Sequence, residues 1–173
     1  MISDASPLII FGKINRLELL IKLFGQIEIV ESVYDEVVRK GKELNKPEAL
    51  TIEEKIKEGK IVIAKLDKSG KEKSAFLMRA YSKLDNGEAD TIILALQKKQ
   101  KKLLIDERIA RKVAEIQGLL PIGSLGIILL AYEKKLINEE DTKQIIDILI
   151  SGNFRVGAEV ISEFWRIFNR IKG

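Results

Sequence analysis

The sequence contains no cysteine and no histidine. Without cysteine there are no disulfide scaffolds, zinc–thiolate sites, iron–sulfur clusters or thiol nucleophiles. Without histidine there is no Ser–His–Asp triad, no imidazole metal ligand and no ribonuclease chemistry built on a His acid/base pair. Any catalysis rests on carboxylates, Lys, Arg, Ser, Thr or Tyr. Proline is scarce, with only Pro7, Pro47 and Pro121, and neither an internal repeat nor a low-complexity linker breaks the chain. Long apolar runs are also missing: the longest, about Gly126–Tyr132, falls far short of the ~20 residues that span a bilayer. The first residues, Met1 to Ile14, lack a basic n-region, and Asp4 interrupts their apolar run. A cytoplasmic protein with no membrane association is expected.

What is present suits one folded domain. The 173 residues are 46% hydrophobic and 32% charged, which excludes a disordered tail protein. A net charge of +4 is a mild bias toward anionic partners. Short apolar runs at Met1–Ser3, Ile27–Val30, Lys60–Leu66, Leu103–Ile105 and Leu119–Ile122 read as strands. Between them the pattern is helical. Helices are expected near Pro7, over Asn15–Phe24, from Val33 toward Lys42 with Ser32 as cap, and over Pro47–Glu58 and Glu72–Tyr81. Others are expected from Asn86-Gly87 onward, over Arg108–Gln117, from Ser124 through Lys134 and over Glu139–Ile150. Val160, Ile161, Phe164, Trp165, Phe168 and Ile171 form an apolar stripe on a C-terminal helix. Strands alternating with helices predict an α/β fold, a three-layer sandwich with a central, mainly parallel sheet flanked by helices. The domain is expected to run from 1 to 173, with 138–173 as its C-terminal helical extension.

Four acidic elements stand out. Asp4 follows the first strand directly, and Asp106 follows Leu103-Leu104-Ile105. In open α/β sheets, ligands bind outside the carboxyl ends of the strands, so both acids fall on the edge where sites are built. Each could instead cap the next helix. Asn86-Gly87-Glu88-Ala89-Asp90 opens a helix with two carboxylates that point ~200° apart, so at most one faces a common centre. In Val33-Tyr34-Asp35-Glu36-Val37-Val38, Asp35 and Glu36 flank the apolar face symmetrically, and periodicity does not choose between them. Clustered carboxylates persist only when something cationic neutralises them or when some are protonated. Hard divalent cations such as Mg²⁺ or Mn²⁺ prefer oxygen ligands and suit phosphodiester chemistry.

In this order the segments Asp4-Ala5-Ser6-Pro7-Leu8-Ile9, Val33–Val37, Gly87-Glu88-Ala89-Asp90-Thr91-Ile92, Leu103–Arg108 and Ile122-Gly123-Ser124-Leu125-Gly126 resemble the PIN-domain family, and closely its small prokaryotic members. The likeness covers nearly the whole chain. It implies a PIN-like fold and a metal-dependent endoribonuclease of the VapC toxin type, hydrolysing RNA phosphodiesters. By position, the resemblance assigns the catalytic acids to Asp4, Glu36, Asp90 and Asp106. It implies Asp4, Asp90 and Asp106 as direct ligands of Mg²⁺ or Mn²⁺, with Glu36 and Glu88 in the metal set. Glu107 is the competing alignment for the fourth acid. Ser6 and Ser124 match supporting hydroxyl positions. Residue 105 is Ile, where many relatives carry Thr or Ser before the acid.

Among the basic residues, Lys98, Lys99, Lys101 and Lys102 fall toward the amino end of their strand and read as a solvated helix end. Arg108, Arg111 and Lys112 lie beyond Asp106 and are better placed for phosphate; Arg108 is expected to support the site or to neutralise its acids. Trp165 reads as packing rather than base stacking. The resemblance also implies RNA as partner and an inhibitory antitoxin protein; a homodimer is expected too, and amphipathicity offers the apolar faces of Asn15–Phe24 or Val160–Ile171 for it. The rival readings are a catalytically weak PIN-like module that binds RNA or protein, and a DNA-directed nuclease. Aspartyl-phosphate chemistry is disfavoured because Ser6 stands where a second acid is needed, and no Gly-rich nucleotide loop occurs.

Overall fold

The computed structural model describes residues 1–152 and 157–173. Five parallel strands, β1 (Ile2–Ser3), β2 (Ile27–Val30), β3 (Ile61–Ala64), β4 (Lys102–Leu104) and β5 (Leu120–Ile122), form one sheet in the order β3-β2-β1-β4-β5. The register pairs Ile2 with Glu28 on one side and with Leu103 on the other. The helices are α1 (Ala5–Lys13), α2 (Leu17–Phe24), α3 (Glu31–Tyr34), a π-helical segment (Asp35–Lys40), α4 (Gly41–Glu43), α5 (Pro47–Lys57), α6 (Lys68–Ala80), α7 (Asn86–Gln97), α8 (Arg108–Ile116), α9 (Ser124–Glu133), α10 (Glu139–Ser151) and α11 (Ala158–Lys172). The expected α/β sandwich with a parallel central sheet is therefore present, and its sheet is wholly parallel.

The strand order places the functional edge. From β1 the chain winds outward to β2 and β3, then returns to the other side of β1 for β4 and β5. Right-handed crossovers put the first set of helices on one face and α6 to α8 on the other. The winding reverses between β1 and β4, and that crevice, at the carboxyl ends of the strands, is where such sheets bind ligands. Asp4 and Asp106 leave those two strands. The Asp4 backbone N–H donates to the Leu104 carbonyl at 2.8 Å, which fixes the two strand ends together.

The core around the sheet is made of Ile2, Leu8, Phe11, Ile27, Ile29 and Leu103 with Ile92 and Leu94 of α7, all essentially inaccessible. α7 is apolar enough to lie across β1, β2 and β4, and α6 packs on α7. Several boundaries move by one to four residues from those expected. One correction is chemical: Ser32 does not cap a helix, because α3 already begins at Glu31, and the Ser32 hydroxyl goes to Asp90 instead.

Two compact units are present, Met1–Ser124 and Leu125–Gly173. The second holds most of α9 together with α10 and α11. Its aromatic cluster is Tyr132 against Phe168 at 4.4 Å between ring centroids, with Trp165 edge-on to Phe164 at 5.0 Å and to Phe168 at 5.3 Å. Trp165 is thus a packing residue. Of the expected 138–173 extension, residues 153–156 lie outside the described residues. Among the described residues no helix is long and apolar enough to cross a membrane.

Candidate active site

Asp4 is the centre. It occupies the position before α1, yet its side chain does not cap that helix. It is 3% exposed, and burial pushes its carboxyl up to about 8. The Ala5 N–H offsets part of this, while the negative charges of Glu88, Asp85 and Glu36 add to it. The charges that act most strongly on Asp4 are thus all acidic. Gly87, at the start of α7, lies against it: a methyl added there would sit 3.6 Å from Asp4 Oδ1 and 3.4 Å from Asp85 Oδ1. The positive end of the α7 dipole therefore meets the acids.

Glu88 joins Asp4. It is buried, and desolvation together with Asp85, Glu107 and Glu36 raises its carboxyl to about 7, against the lowering effect of its hydrogen bond from the Asp85 N–H. It is half of a capping box. Glu88 Oε2 accepts the Asp85 backbone N–H at 2.9 Å, and Asp85 Oδ1 accepts the Glu88 backbone N–H at 2.8 Å. Asp85 is the residue the sequence reasoning passed over. Its signal was present: an acid three residues before Glu88 at a helix start.

Glu36 completes the set from the exposed rim. Desolvation and the charge of Asp85 raise its carboxyl, and Lys40 works in the opposite sense. The two candidates, both at the start of the π segment, have different partners. Glu36 acts on Asp4 and Glu88, whereas Asp35 is ion-paired with Arg39. An inserted residue shifts the helical phase, and such segments recur at functional sites.

Asp90 and Asp106 are held differently. Both oxygens of Asp90 are taken by hydroxyls, from Ser32 at 2.7 Å and from buried Ser74 at 2.5 Å. This is the ~200° separation from Glu88 made visible. Asp106 accepts the Ser124 backbone N–H and hydroxyl, each at 2.6 Å. Burial raises its carboxyl, and Ser124 and Arg111 lower it. Glu107, the competing residue, caps α8 by accepting from Ala110 N–H at 3.0 Å and from Ile109 N–H. Ser6 is half-buried, and its side chain makes no hydrogen bond among the described residues. Arg108 is exposed, makes no ion pair among the described residues and is not among the strongest influences on Asp4, Glu88 or Asp106. Lys98 pairs with Glu28, away from these acids.

The donor set around Asp4 is all oxygen, and once its carboxyls release their protons it suits a hard divalent cation. Among the described residues no group of three acids is arranged to hold a metal ion by itself. The fit is therefore to the Mg²⁺ mode, in which one or two carboxylates serve and water completes the shell.

A parallel sheet with buried acids at its switch point defines a carboxylate-centred α/β domain. A family model described as a PIN domain, DUF3368, matches residues 1–170, and the chain belongs to that family. PIN domains are usually nucleases that use divalent metal ions. No curated protein and no solved structure matches the chain.

Proposed function

We propose that the protein is an endoribonuclease that hydrolyses RNA phosphodiesters with the help of Mg²⁺ or Mn²⁺, and that it acts as the toxin of a toxin–antitoxin pair, similar to VapC. The observation that carries this is the buried Asp4 carboxyl at the switch point, with the acids Glu88, Asp85 and Glu36 as the charges acting most strongly on it. Asp4 and Glu88 would hold the ion and water would complete its shell, while Asp90 and Asp106 stay with their serine partners. When bound, the cation neutralises phosphate charge and makes water a better nucleophile at neutral pH.

The chain's own groups divide the remaining work. Glu36, at the solvent rim, orients the attacking water and takes up its proton. Ser124 holds Asp106 in one rotamer through two hydrogen bonds. Arg111, beside Asp106, offers positive charge to the phosphate. Water attacks phosphorus in line, the P–O3′ bond breaks, the departing O3′ takes a proton from bulk water, and the products carry 5′-phosphate and 3′-hydroxyl ends. An antitoxin would act by covering these acids, and a homodimer is the expected assembly; a monomeric mass in solution would count against the latter.

The test is cleavage of a panel of RNAs with and without Mn²⁺, comparing the native chain with Asp4→Asn. Loss of cleavage with the fold intact supports the reading. Unchanged turnover, or 2′,3′-cyclic phosphate products, overturns it. A second reading, an RNA-binding PIN-like module with an idle site, draws on one observation: all four oxygens of Asp90 and Asp106 already accept hydrogen bonds. Mn²⁺ binding without cleavage of any RNA would favour it.

A further inference from the structure

A groove of about 380 Å³ opens beside the acids in the Met1–Ser124 unit. That lies within the usual range for small-molecule sites, about 300–1,000 Å³. Val113, buried, and Ile109, half-buried, give it an apolar base. Tyr81, at the C-terminal end of α6, supplies an aromatic ring whose hydroxyl makes no hydrogen bond among the described residues. Arg108 and Lys112 stand four residues apart on α8, hence on one face, and both are exposed. Neither forms an ion pair among the described residues, in a chain where many lysines and arginines do. Glu107 lines the groove, and its charge acts on Glu88.

An aromatic wall, an apolar base and two unpaired cations match one chemistry: an unstacked nucleobase with its phosphates. Base–aromatic stacking takes any base, and Arg and Lys follow the backbone. An acidic peptide would match the cations but would leave the ring and apolar base unused. A duplex would keep its bases out of reach. We propose that the groove formed by Tyr81, Arg108 and Lys112 is a subsite for one unpaired nucleotide of a single-stranded nucleic acid, adjoining the acidic centre. This rests on the nuclease reading for its purpose but is measured without cleavage.

The experiment is fluorescence anisotropy of labelled oligouridylate and oligoadenylate, of an RNA duplex and of polyglutamate, binding the full chain in EDTA. Tyr81→Ala is expected to weaken single-strand binding by about tenfold or more and to leave duplex binding unchanged. Tyr81→Phe should retain native affinity, since the ring alone stacks. Lys112→Ala should flatten the slope of log affinity against log salt by about 0.7. If Tyr81→Ala does not fold, the exposed Lys112→Glu and Arg108→Glu variants carry the test, each expected to lower single-strand affinity selectively. Native single-strand affinity in all of these variants overturns the proposal, as does equal loss for polyglutamate, which would mark a peptide groove. Because no step depends on catalysis, a protein that binds as expected yet cleaves no RNA would sink the nuclease reading and leave the subsite standing.

Discussion

Asp85 and Glu88 hold each other's backbone N–H groups, at 2.8 Å and 2.9 Å, so that one reciprocal cap both starts α7 and delivers a carboxylate to Asp4. Helix initiation and site assembly are one device. Asp85→Ala is expected to cost about 1 kcal/mol of stability through the lost cap. It should also lower the carboxyl pKa of Asp4, Glu88 and Glu36, because a neighbouring negative charge is gone. Carboxyl titration by NMR, alongside a urea melt, reads both effects.

Burial of Asp4 makes stability fall as pH rises. The group titrates near 4 when unfolded and at about 8 when folded, so between those values the folded chain holds a proton that the unfolded chain has released. Its contribution is fully present below pH 4 and is lost as pH rises through about 8. In metal-free buffer the slope should reach about 1.4 kcal/mol per pH unit for each proton so held. Asp4→Asn should flatten this dependence, which urea melts between pH 5 and pH 8 would show.

Divalent ions should reverse that penalty. Mn²⁺ at ~100 times its dissociation constant would stabilise the chain by about 2.7 kcal/mol. Asp4→Asn should lose most of this gain. A melting temperature that responds equally in both proteins would place the ion elsewhere.

Asp106 and Glu107 are separable by their partners. Glu107→Ala removes the α8 cap and should lower stability by about 1 kcal/mol while cleavage survives. Asp106→Asn should abolish cleavage with little change in melting. Gly123→Ala provides a third probe, since its methyl would fall 3.1 Å from Asp106 Oδ1 and against Arg111. Displacing that guanidinium should raise the Asp106 carboxyl further and slow turnover.

Gly41→Ala tests the helix packing that carries Glu36. Its Cβ would lie 2.7 Å from the Ala49 Cβ, so α4 and α5 must separate. A loss of about 1–3 kcal/mol is expected by thermal or denaturant melts.

Much of this protein follows from its sequence. Ile27–Val30 is a strand in the structure with the bounds its apolar run predicts, because a short buried β-run flanked by polar residues has few alternatives. The parallel sheet follows from the alternation of strands and helices, and the placement of Asp4 and Asp106 at strand ends follows from local order alone. The ~200° divergence of Glu88 and Asp90 was also legible, since helix geometry fixes it. The choices among equivalents were not. Periodicity left Asp35 and Glu36 symmetric; the Arg39 pair takes Asp35, while the charge of Glu36 reaches Asp4 and Glu88. Glu107 and Asp106 are neighbours in sequence, yet Asp106 is held by Ser124, 18 residues beyond it, while Glu107 caps α8 and its charge reaches Glu88. Ser32 read as a cap until Asp90, 58 residues away, claimed its hydroxyl. Local rules set each residue's available roles, whereas the selection among them depends on long-range partners and on burial, which only the folded chain supplies.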